Sequence, residues 1–100
     1  PEAEEEEHLL AERARVQHGA KAAQGLNAAL KALSEPEPVT TRLAAATRAL
    51  ARLPDTFPDN AAQETGSISE RLDALRGELD DIEQALATLA RRAEAASGRS

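Results

Sequence analysis

Between Ser67 and Arg92 the chain reads SISERLDALRGELDDIEQALATLARR, and its large apolar residues fall at Ile68, Leu72, Leu75, Leu79, Ile82, Leu86 and Leu89. The steps alternate between four and three residues without a slip. A strand would repeat every second residue, whereas this spacing repeats every 3.5 and keeps all seven side chains on one stripe of a helix. A stripe of that kind needs another helix laid along it. With Leu72, Leu79, Leu86 and Ala93 at the first heptad position (a), Ile68, Leu75, Ile82 and Leu89 take the fourth (d). Arg71, Arg76, Glu78, Glu83 and Arg92 then flank the seam, where interhelical ion pairs set partner and orientation. This helix is expected over about residues 67–96. Ser67 and Glu70 match the S-x-x-E capping box at its start, although a start nearer Pro58, with Gly66 as a weak point, also fits the pattern.

The rest of the chain repeats the theme twice. From about residue 4 to 33 no proline occurs, and Leu9, Val16, Ala23 and Leu30 recur every seven residues, with Gly19 or Ala20, Leu26 and Leu33 at the offset positions. The acidic EAEEEE opening and Lys31 near the end suit the helix macrodipole. Gly19 lies on the apolar stripe, so close approach of a neighbouring helix would explain it, whereas Gly25 falls off the stripe. SEPEP then ends the helix, because two prolines so close cannot both sit in a helix interior. Pro38 suits the first turn of a second helix, over about 38–53, with Val39, Leu43, Ala46, Leu50 and Leu53 on one stripe. PDTFPDN is the second break, and its Phe57 is expected to plug the end of a bundle. The expected architecture is therefore all-α, a three-helix antiparallel bundle or coiled coil with long, short and long helices. At 1.5 Å per residue the lengths are roughly 45, 24 and 45 Å. One short helix cannot cover two long ones, so the long helices pack on each other or part of their seams awaits another helix.

Composition narrows the function. Alanine supplies 23 of the 100 residues and leucine 13, while Phe57 is the sole aromatic and there is no Trp, Tyr, Met or Cys. Aromatic residues provide much of an ordinary core's buried area, so this core must be thin. The net charge is −6, with the 12 basic residues outnumbered and scattered. A nucleic-acid surface needs clustered Lys and Arg, so direct DNA or RNA contact is not expected. An amphipathic membrane helix needs a basic polar face and boundary aromatics, and a membrane span needs about 18 consecutive apolar residues; neither pattern occurs. Without cysteine the chain has no disulfide or zinc–thiolate site, which is compatible with a reducing compartment. It opens on Pro1 and closes on SGRS, and so reads as a fragment of a longer protein.

Candidate chemistry is sparse. Glu5 and His8 form an E-x-x-H, the spacing of di-iron bundles, but those sites need a second copy on a facing helix, and a charged first turn is better read as a solvated face. His8 and His18 stand about 80° and some 15 Å apart on a helix, too far to share a metal. No serine stands in a G-x-S-x-G context, and GAKAAQG has the wrong order for a phosphate loop. Asp80 and Asp81 keep an exposed face soluble. No catalytic, cofactor or metal residue is therefore assigned, and an enzyme is the least expected class. The residues assigned to helix contact are Leu9, Val16, Leu26, Leu30, Leu33, Leu43, Leu50, Leu53, Ile68, Leu72, Leu75, Leu79, Ile82, Leu86 and Leu89.

The order LLAERARVQHGAKAAQGLNAALKALSE, then RLAAATRALARLPD, then SISERLDALRGELDDIEQALATLARR resembles the central coiled-coil region of the RecN family, bacterial DNA repair ATPases related to the structural-maintenance-of-chromosomes proteins. Leu26, Ala29, Leu30 and Leu33 match the end of that family's outgoing helix. Ala49, Leu50 and Leu53 match its short helix, and Arg71, Leu72, Leu75, Glu78, Leu79, Asp81 and Leu86 match the next one. The resemblance implies an arm of a cytoplasmic, nucleoid-associated repair ATPase acting on double-strand breaks. It also implies that ATP and Mg bind a head assembled from the two ends of the parent polypeptide, not this segment. The family's returning helix is either absent or beyond Ser100. The implied partner is another helix of the same arm or a second copy of the chain in a homodimer. Two other readings share the composition: a stand-alone helical adapter or scaffold module, and a lipid-surface protein, which the acidic balance disfavours.

Overall fold

The computed structural model describes residues 2–54 and 61–98. Those residues form three helices, α1 (Glu2–Ser34), α2 (Val39–Ala51) and α3 (Ala61–Ala96), and no strand. Phe57, expected to plug a bundle end, lies outside the described residues. The all-α class and the long–short–long order hold.

The ends of α2 follow from its flanking prolines. Pro38 caps rather than opens the helix: its φ of −55° and ψ of 135° are extended. Its carbonyl accepts from the N–H of Thr41 at 3.0 Å and of Arg42 at 3.4 Å. At the other end the N–H groups of Arg52 and Leu53 donate to Ala49 and Leu50 at 3.2 Å, a tightened last turn ahead of Pro54. The helix therefore stops at Ala51, short of the Leu53 expected from its spacing.

α3 (Ala61–Ala96) is already helical at Ala61, the first described residue after the second break, so it does not start at Ser67, and the alternative start near Pro58 falls outside the described residues. Gly66 and Ser67 are both exposed residues inside the helix, and Ser67 does not open it. A mid-helix glycine costs only about 1 kcal/mol, and the helix continues through it to half-buried Thr65 and buried Ala61. At its far end the Ser97 N–H donates to Ala93 and Glu94, the Ser97 hydroxyl donates to the Glu94 carbonyl at 2.7 Å, and Gly98 turns out of the helix with φ of 82°.

The chain divides into two compact units rather than one three-helix core. One unit joins Pro1–Ala32 with Gln84–Ser100, so that most of α1 packs with the last part of α3. The other, Leu33–Glu83, holds the end of α1, α2 and the first part of α3. Among the described residues the buried hydrophobic side chains are Ala23, Ala61 and Ala90, and no large side chain is fully buried. The thin core expected from the lack of aromatics is present.

The first unit is built on close backbone approach. A Cβ on Gly19 would stand 2.9 Å from the carbonyl oxygen of Ala93, 3.0 Å from the nitrogen of Ser97 and 3.2 Å from the carbonyl carbon of Ala96. That is why glycine occupies this point of the stripe, as its position suggested. Ala23 and Ala90 are buried in the same unit, and the Asn27 side chain donates to Glu94 Oε1 at 3.1 Å. In the second unit the half-buried face of α2 is Val39, Thr40, Leu43, Ala44, Thr47 and Leu50. The Thr47 hydroxyl satisfies itself by donating to the Leu43 carbonyl at 3.1 Å, four residues back, which lets a polar residue sit on that face.

Candidate functional site

The fifteen residues assigned to helix contact separate into two sets. Leu26, Leu30, Leu33, Leu43, Leu50, Leu72, Leu79 and Leu86 are half-buried. Leu9, Val16, Leu53, Ile68, Leu75, Ile82 and Leu89 are exposed. In α3 the split follows the heptad: the row Leu72, Leu79, Leu86 and Ala93 packs within the chain, while Ile68, Leu75, Ile82 and Leu89 stand 43, 52, 39 and 43 % open to solvent.

The covered face lies on the side of the first row away from these four residues. Thr65, Ser69, Leu72, Leu79, Glu83, Leu86, Ala90, Ala93 and Ser97 are all buried or half-buried, and they fall on the first (a) and fifth (e) heptad positions rather than on the first and fourth. The packed face therefore recruits small and polar residues that the apolar pattern did not mark, and the d row is left on the flank. On α2 the marked Val39, Leu43 and Leu50 are half-buried together with Thr40, Ala44 and Thr47, whereas Ala46 and, past the helix end, Leu53 are exposed. Hydropathy misses these positions because Ala, Thr and Ser carry little signal. A stripe drawn through Thr65, Ser69, Ala90 and Ser97 beside the leucine row would have marked them.

The charged flank is solvated. Arg76 pairs with Asp73 in its own helix at 3.5 Å, and Arg15 pairs with Glu12 at the same distance. Exposed pairs three residues apart stabilise a helix by at most a few tenths of a kcal/mol. Arg71 and Glu78 are exposed beside Leu75, while Glu83 is half-buried. Shallow apolar depressions surround Leu9, flanked by Glu5, His8, Arg13 and Val16, and Ile68, flanked by Glu64, Ser67 and Arg71.

Glu5, His8 and His18 are exposed on α1. Among the described residues no three His, Cys, Asp or Glu side chains stand where one metal ion would reach them, and no helix is long and apolar enough to cross a membrane. The arrangement leaves unfilled apolar contact along α3. No family model matches the chain, and no curated protein or solved structure matches it.

Proposed function

We propose that this chain is a mechanical helix-pairing segment, an arm whose exposed apolar row on α3 takes up another helix. The exposure of Ile68, Leu75, Ile82 and Leu89 on a continuous helix carries this reading. Large aliphatic side chains repeating every seven residues on a solvent-facing flank are the pattern of an unfilled coiled-coil contact. The sequence resemblance to the RecN arm gives the proposal its specific form: a segment linking ATP-binding head halves in a cytoplasmic double-strand-break repair ATPase, with ATP and Mg held outside these residues. In that setting the antiparallel three-helix arrangement would be completed by a further helix of the arm or by a second copy of the chain.

Thermal unfolding of the isolated chain at several concentrations tests the pairing. If the chain self-associates, its melting temperature rises with concentration by mass action. A melting temperature that stays fixed over a hundredfold range removes the support for self-association. The arm assignment is checked separately in the parent reading frame, which must encode ATP-binding halves on both sides of the segment. A frame without them leaves the stand-alone adapter as the reading.

A further inference from the structure

Resting on the helix-pairing reading, we infer that the occupant of the exposed α3 row in the second unit is the same row of a second copy, running antiparallel and crossing at Leu75. Ile68, Leu75 and Ile82 are all exposed, and Leu75 is the most exposed of the three. On one side of this row lie Arg71 and Glu78, both open to solvent. On the other side lies the packed flank, with Leu72, Leu79 and the half-buried Glu83. A second helix can therefore approach only from the Arg71–Glu78 side.

Charge then selects the orientation. In a parallel pair each residue of the Arg71 row faces the opposite flank of the partner helix, five residues on. That sets Arg71 against Arg76 and Glu78 against Glu83, two like-charge contacts on each side of the pair. It also requires the flank that the chain has already packed. In an antiparallel pair the Arg71 row faces itself. With Leu75 stacked on its own copy and Ile68 on Ile82, Arg71 of each helix stands level with Glu78 of the other, giving two opposite-charge contacts. Sliding one heptad in either direction puts Arg71 on Arg71 or Glu78 on Glu78. Of these registers, this one seats all three apolar residues of the second unit and pairs both of its flanking charges.

Because the chain has no cysteine, single substitutions report the register directly. In the full chain under mild oxidation, Leu75→Cys should form a disulfide-linked dimer, since the two residues meet at the crossing point. Ile68→Cys and Ile82→Cys should each fail to link alone and should link when mixed. Arg71→Glu and Glu78→Arg should each weaken dimerisation about tenfold in sedimentation equilibrium, and the double variant should recover to within about threefold of the original chain. Linking of every single variant to itself, or no rescue in the double variant, overturns the antiparallel register while leaving helix pairing intact. A monomer at all concentrations overturns both.

Discussion

Gly19 is where a single hydrogen atom decides the packing. A methyl group there meets backbone atoms of Ala93, Ala96 and Ser97 at 2.9 to 3.2 Å, and backbone cannot rotate away as a flexible side chain would. Gly19→Ala gains about 1 kcal/mol of helix propensity but forces α1 and α3 apart, and overpacking of this kind typically costs 1–3 kcal/mol. The expected outcome is a net loss of about 1 kcal/mol in urea unfolding followed by circular dichroism. Gly25 is the internal control, since it is exposed and a Cβ there meets nothing within 4 Å. Gly25→Ala should stabilise by roughly 0.5–1 kcal/mol. Equal and favourable effects at both positions would contradict the close approach. The reason for Gly19 was legible from its place on the stripe, because an apolar face tolerates glycine only where something comes near. Nothing in the structure explains why Gly25 is glycine.

At the scale of the helix, two substitutions separate the competing descriptions of α3. Ser67 sits inside the helix, so Ser67→Ala should be neutral or stabilise slightly, by a few tenths of a kcal/mol. Had Ser67 capped the helix, the same change would cost about 1 kcal/mol. Chemical denaturation of the variant decides between them. The two leucine rows differ in the same way. Leu79 is half-buried within the chain and Leu75 is 52 % exposed. Leu79→Ala should cost about 2 kcal/mol at a concentration where the chain is monomeric, whereas Leu75→Ala should cost under about 0.5 there. The existence and order of the helices were legible because prolines at 36, 38 and 54 interrupt otherwise unbroken heptads. Two things were not. A capping box can also occur inside a helix, so Ser67 and Glu70 did not locate the start. Nor can an apolar pattern say which of two equally apolar rows is covered, because the covering face is completed by Thr65, Glu83 and alanines that hydropathy overlooks.

For the molecule as a whole, the thin core and the open row belong together. With Ala23, Ala61 and Ala90 as its buried hydrophobic side chains, the described structure holds little apolar area out of water, while four large aliphatic residues of α3 remain in it. Covering that row would add burial at about 25 cal/mol per Å², so association and stability should rise together. Salt should weaken the pairing modestly, since the charges that orient it are exposed and screened. This is checked by repeating the concentration series in low and high sodium chloride. The most direct measurement is sedimentation equilibrium of the original chain beside Leu75→Glu over a wide concentration range. A monomer–dimer equilibrium in the original chain, shifted at least tenfold toward monomer by Leu75→Glu with unchanged helix content, is the predicted result. A strict monomer throughout, or a dimer indifferent to a charge at Leu75, would contradict the claim that this row is an association surface.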